Sequence, residues 1–160
     1  FEPNNAYFPI LENNIRLNNY QNIVFPIKKA VGNKNGLIEI DNFAEHEGKI
    51  QEQCIKLDAF VMENNLPSID LLKIDVEHME SDVLLGMKKT LIKYLPSIIV
   101  EVLTDADAEK INYVLRDLNY EYFNINENGN IKKIDKIIKS ENWNILICTK
   151  DKSNLFLKNF

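Results

Sequence analysis

Two short, almost wholly apolar runs constrain this chain most: Ile69 to Val76 and Ser97 to Leu103. Each is rich in Ile, Leu and Val and too short for a core helix. Such runs read as strands buried on both faces, which is how strands of a parallel sheet look in sequence. Between them, from about Glu80 to Tyr94, Val83, Leu84, Met87 and Leu91 recur at helical spacing, and Leu95-Pro96 stops the pattern. The same alternation repeats once. Asp105 and Asp107 favour a helix start, Ile111, Val114, Leu115 and Leu118 form its apolar stripe, and Tyr120 to Ile125 reads as a strand. A turn over Glu127 to Asn130 and a last strand over Asn144 to Thr149 follow. The expected fold class is α/β, a mostly parallel sheet with helices on both faces.

The first third is less regular. Phe8, Leu11 and Ile15 predict a helix, capped by Asn4 or Asn5, with Pro9 confined to its first turn. Asn22 to Ile27 reads as a short strand whose Pro26 suggests an edge or an end. Gly32 and Gly36 mark a turn before a strand over Leu37 to Ile40. Residues 41–53 are polar and acidic and predict an exposed loop, with His46 solvated in it. Leu57-Asp58-Ala59-Phe60 leads a short helix towards Asn64-Asn65.

The 160 residues are 45% hydrophobic and 27% charged, a globular balance sufficient for one sizeable core. A net charge of -5 argues against nucleic acid and against anionic membranes as partners. No apolar stretch approaches membrane-spanning length. Cys54 and Cys148 lack metal-ligand spacing, so a reduced, cytoplasmic compartment is expected. Cys148 reads as core packing, and Cys54 has no nearby group to activate it. Neither the dinucleotide-binding nor the Walker glycine pattern occurs.

In an open α/β sheet, ligands bind outside the carboxyl ends of the strands. Asp75 ends the first buried run, and Glu77, His78 and Glu80 follow it; Glu101 lies late in the second run. If the two strands are neighbours, Asp75 and Glu101 meet. A close carboxylate pair has one pKa raised by like-charge repulsion, which suits a general base near neutral pH. The plainer alternative is that Glu77 and Glu80 only cap the following helix. Asp75, Glu77, His78 and Glu80 match no zinc signature. A carboxylate site for Mg²⁺ or Ca²⁺ is a further alternative, although no metal is assigned.

Several ordered segments resemble the FkbM-type family of S-adenosylmethionine-dependent methyltransferases. They are Phe1-Glu2-Pro3-Asn4 with Asn14-Ile15-Arg16-Leu17-Asn18, Ala30-Val31-Gly32-Asn33 with Gly36, and Leu57-Asp58-Ala59-Phe60. The most specific are the block from Asp70 to Glu80, Leu84-Leu85-Gly86, and Pro96 to Glu101. The resemblance implies a Rossmann-like methyltransferase fold with S-adenosylmethionine as cofactor. It implies that Glu2 ends a strand and accepts hydrogen bonds from the cofactor's ribose, and that Ala30 and Val31 flank its adenine. Asp75 and Glu77 would lie beside the methionine end and the acceptor. The acceptor would be a hydroxyl on a glycan or another small secondary metabolite, with Asp75, Glu101 and His78 as candidate catalytic bases.

Two departures from the family stand out. His78 occupies a position where the family usually has Gly, implying an altered loop or an additional acid/base group. The family's first strand and Gly-rich turn would lie before Phe1. The expectation is therefore a single methyltransferase domain over residues 1–160, truncated at its N-terminus, that folds poorly or binds cofactor weakly by itself. A non-catalytic binding or assembly domain on a decayed methyltransferase scaffold is the alternative from another functional class.

Overall fold

Residues 1–41, 48–126, 128, 130–139 and 142–157 are described by a computed structural model of the chain, whose contacts divide between two units, Phe1–Lys56 and Leu57–Phe160. His46 lies outside the described residues, as do two residues of the expected turn at 127–130.

In the first unit, helix α1 (Phe8–Leu17) starts where Pro9 allows it, with Pro in the first two positions and Ile15 buried. Asn4 does not cap it. Its side-chain Oδ1 instead accepts the Ala6 N–H at 2.7 Å, and its carbonyl accepts the Phe8 N–H at 2.9 Å, forming a turn ahead of the helix. Strands β1 (Ala30–Val31), β2 (Gly36–Asp41) and β3 (Lys49–Ile55) form a small sheet in the order β1-β3-β2. β1 runs parallel to β3, and β2 antiparallel to it. Gly36 opens β2 at φ 110°, a conformation that strongly favours glycine.

Three expectations fail here. The second half of the expected acidic loop is β3, whose polar residues alternate with Ile50 and Cys54 in a ladder against β2. Conversely, residues 22–27 form no strand. The Ile23 and Val24 N–H groups both donate to the Tyr20 carbonyl, Pro26 has no N–H to donate, and Ile23 and Phe25 are exposed. Nor do residues 1–3 form a strand. The Glu2 N–H donates to the Ile27 carbonyl at 3.0 Å without a ladder around it.

The second unit begins with α2 (Leu57–Glu63) and continues through β4 (Leu71–Ile74), α3 (Glu80–Gly86), α4 (Lys88–Tyr94) and β5 (Ser97–Glu101). After α5 (Asp105–Leu115) come β6 (Glu121–Ile125), β7 (Ile131–Ile134), β8 (Asn144–Cys148) and α6 (Lys150–Leu157). The five strands are ordered β4-β5-β8-β6-β7. Only β4 and β5 pair in parallel; the β5–β8, β8–β6 and β6–β7 pairs are antiparallel. The sheet is therefore mixed, which corrects the mostly parallel expectation. β4 is an edge strand of this sheet with Leu71 exposed, not a strand buried on both faces.

The anticipated 80–94 helix is two helices. Met87, at φ -123°, interrupts the ladder, yet its side chain is buried with Leu84 and Leu91, so one apolar face continues across the break. Asp58 makes the second start possible. Its carboxylate accepts the Lys89 and Thr90 N–H groups at 3.0 and 2.8 Å and the Thr90 hydroxyl at 2.7 Å. Free N–H groups at the start of α4 are thus satisfied from α2, 31 and 32 residues away. The core gathers Leu84, Met87 and Leu91 with Ile98 and Val100 of β5, Ile111 and Leu115 of α5, and Ile145 and Ile147 of β8. Phe123, Leu146 and Cys148 form a further cluster with Ile99, Ile125 and Ile131, so Cys148 is core as expected.

Candidate active site

The β4–β5 register pairs Lys73 with Ile99 and Ile74 with Val100. One step further, both chains leave the ladder at a carboxylate: Asp75 after β4 and Glu101 at the last position of β5. Parallel strands in register put these residues side by side at the carboxyl end. Glu77 reaches the same point from the loop between β4 and α3, and carboxylate oxygens of Asp75, Glu77 and Glu101 lie within 4.8 Å of one another. The expected convergence of Asp75 and Glu101 is present, and Glu77 joins it.

Partial burial, then the Asp75 charge and a hydrogen bond shared with Asp75, push the Glu101 pKa up; Glu77 adds to the rise. Lys73 pulls in the opposite direction. Its ammonium donates to Asp75 Oδ2 at 2.9 Å, both side chains being about half exposed. Lys73 was missed in the sequence, although its position two residues before Asp75 places both on one side of the strand. Opposite Glu101, β8 contributes Asn144, whose buried Oδ1 has no hydrogen-bond partner among the described residues. Cross-strand partners share a face of the sheet, so an unfilled acceptor accompanies the carboxylates.

The loop after Asp75 is unusual. Glu77 and His78 have φ of 52° and 71°, successive left-handed residues of which neither is glycine. Each such residue costs about 1–2 kcal/mol relative to ordinary backbone. A Gly at the His78 position would carry this conformation freely. His78 thus takes up the left-handed conformation at a cost in strain. Glu80 closes the loop from inside: almost completely buried at the first position of α3, it accepts the Val76 N–H at 3.2 Å. Burial raises its pKa, only partly offset by the backbone N–H groups it accepts. Glu80 thus ties the loop to the start of α3, but by accepting the Val76 N–H and not as a side-chain cap of that helix.

His78 does not stand free as a base. Its Nδ1 lies 2.7 Å from Asp107 Oδ2, an ion pair when the ring is protonated. That hydrogen bond raises the His78 pKa. Asp107 is buried, and burial alone would raise its pKa. The Thr104 hydroxyl, donating at 2.6 Å, and His78 outweigh burial, so the net shift is downward. Thr104 also caps α5 by accepting the Asp107 N–H at 3.1 Å. Sequence reading assigned the start of α5 to its acidic residues and missed both Thr104 and the role of Asp107.

The remaining candidates lie in the first unit. Glu2 Oε1 accepts the Asn4 N–H at 2.7 Å, leaving Oε2 without a partner among the described residues. Ala30 and Val31 are buried in β1 beside Cys54 and Ile55. Cys54 is buried.

Among the described residues, no helix is long and apolar enough to cross a membrane. No curated protein matches the sequence. Among solved structures, a crystal structure of methyltransferase FkbM from Methylobacillus flagellatus KT matches with a TM-score of 0.59 at 13% identity. The match covers 91% of this chain and 35% of that one, so the chain spans about a third of that protein's length. The FkbM methyltransferase domain matches residues 1–122, a span that contains Glu2, Ala30, Val31 and the whole carboxylate cluster. By this match over most of its length, the chain belongs to the FkbM methyltransferase family.

Proposed function

We propose that the chain is part of an S-adenosylmethionine-dependent methyltransferase that methylates a hydroxyl of a glycan or another small secondary metabolite. In this reading residues 1–160 belong to a single methyltransferase domain. The observation that carries it is the three-carboxylate cluster at the carboxyl ends of β4 and β5, inside the segment that matches the family. When bound, the cofactor supplies an electrophilic methyl group on a positively charged sulfonium. Carboxylates suit that charge, which supports the fit of Asp75 and Glu77 to the methionine end. Glu2 keeps one oxygen for a ribose hydroxyl, its other being engaged by Asn4. Ala30 and Val31 offer a small apolar wall for adenine, a tight one because both are buried.

The chain's own chemistry is proton transfer and positioning. The Asp75–Glu101 pair, ionised, is the base for the acceptor hydroxyl. Asn144 Oδ1 offers an acceptor that could orient a hydroxyl on the same face. His78, engaged with Asp107, takes the third rank as a base. Asp75, Glu77 and Glu101 would provide only part of the six to eight oxygens a Ca²⁺ takes, so the cation reading ranks below methyl transfer.

Calorimetric titration of the protein with S-adenosylmethionine tests this directly, with Asp75→Asn alongside. Saturable binding that the substitution weakens supports the reading. Absence of binding by the full-length protein, with folding intact, would leave the scaffold alternative.

A further inference from the structure

Two successive left-handed residues without glycine persist only where the surroundings hold them. The Glu77–His78 loop has two ties. One is internal, from the Val76 N–H to Glu80 Oε1 at 3.2 Å. The other crosses to α5, where His78 Nδ1 meets Asp107 Oδ2 at 2.7 Å. The α5 end is a firm anchor. Asp107 is buried, accepts the Thr104 hydroxyl at 2.6 Å, donates its N–H to Thr104 Oγ1 at 3.1 Å, and has Lys110 Nζ 3.6 Å from its second oxygen. Glu77, by contrast, makes no hydrogen bond or ion pair among the described residues and lies against two like charges. Repulsion and backbone strain both act to open the loop.

We infer that Asp107 is a positioning residue: through His78 it holds this strained loop closed and so keeps the Glu77 carboxylate beside Asp75 and Glu101. The functional weight of Glu77 rests on the methyltransferase reading; the mechanical claim does not, and its test needs no cofactor or acceptor. It explains how a histidine serves where glycine would be the easier choice. Glycine at position 78 removes the strain there, whereas histidine offsets it with an ion pair.

The measurement is amide hydrogen exchange at Val76, whose N–H is released when the loop opens. His78→Ala removes the ion pair but keeps a side chain at positive φ, and should speed exchange about tenfold relative to the native protein. His78→Gly removes the pair together with the strain at position 78, leaving only that at Glu77, and should stay within about twofold of native. Both variants delete the same imidazole charge, so their difference isolates the backbone. Asp107→Asn should speed Val76 exchange in the native background and have no effect in the His78→Gly background. Equal exchange in His78→Ala and His78→Gly, or an Asp107→Asn effect of the same size in both backgrounds, overturns the inference. Should Asp107→Asn fail to fold, the two His78 variants still decide it, since His78 is exposed and their protein retains Asp107.

Discussion

One step past the Ile74–Val100 pair of adjacent parallel strands, Asp75 and Glu101 bring carboxylate oxygens within 4.8 Å of each other, and the Asp75 charge helps to push the Glu101 pKa up. Burial and the neighbouring Asp75 and Glu77 charges all act against ionisation of Glu101. A base at Glu101 gains competence as pH rises through its raised pKa.

Glu101→Gln should therefore separate stability from activity. Glu101 has a raised pKa in the folded protein, so ionising it weakens the fold as pH rises above the unfolded carboxyl value of about 4.3. Removing the charge should stabilise the protein at pH 7, by roughly 0.2–1 kcal/mol for a partly exposed like-charge contact. Methyl transfer by the full-length enzyme should fall by about 10²–10⁴ if the pair is the base. Thermal unfolding at pH 5 and pH 7 checks the first expectation: the gain should shrink at the lower pH.

The His78–Asp107 pair has a defined pH window. The raised His78 pKa gives stability fully present below the unfolded value of about 6.5, and lost as pH rises through the higher folded value. The lowered Asp107 pKa gives stability present above about 3.9, and lost as pH falls through the lower folded value. Glu77, Glu80 and Lys110 also act on the pair. The difference in melting temperature between the native protein and His78→Gln should be largest at about pH 4–6.5 and shrink on both sides. A difference independent of pH would contradict the ion pair.

These two sites show what the sequence made legible. The Val83, Leu84, Met87, Leu91 stripe and the runs ending at Asp75 and Glu101 carry strong periodicity, so their elements and their meeting point could be read. Antiparallel return was not legible, because a strand's apolar pattern does not state the direction of its neighbour. β3 was hidden because Lys49, Gln51 and Gln53 line its exposed face, and β7 because Ile131 and Ile134 alone mark it. Residues 22–27 misled in the opposite sense: they are mostly apolar, but the Ile23 and Val24 N–H groups are turned to Tyr20 and Pro26 has none. Asp107 was invisible as a site residue because its partner His78 is 29 positions away and only the fold joins them.

Glu2→Gln and Glu2→Ala should behave differently. Glu2 Oε1 accepts the Asn4 N–H, and a Gln side chain retains such an acceptor whereas Ala does not. Folding should therefore be nearly native in Glu2→Gln and weakened by about 0.5–1.5 kcal/mol in Glu2→Ala. If the remaining oxygen serves the ribose, cofactor affinity of the full-length protein should fall in both variants. Unchanged affinity in both, measured by calorimetry, removes the ribose assignment.

The Asp58 cap offers a purely structural prediction from the most compact motif in the first half of the chain, Leu57-Asp58-Ala59-Phe60. Asp58 binds two N–H groups and a hydroxyl of Lys89 and Thr90, at the point where the broken helix restarts after Met87. Asp58→Ala leaves those N–H groups without their acceptor, Thr90 being buried, and should cost about 1–2 kcal/mol in urea unfolding. Asp58→Asn keeps one acceptor oxygen and should cost less. Thr90→Val deletes only the hydroxyl donor and should be the mildest of the three. Costs in this order identify the aspartate as a helix cap that fastens α4 to α2; equal costs in all three would assign the loss to packing around Thr90 instead.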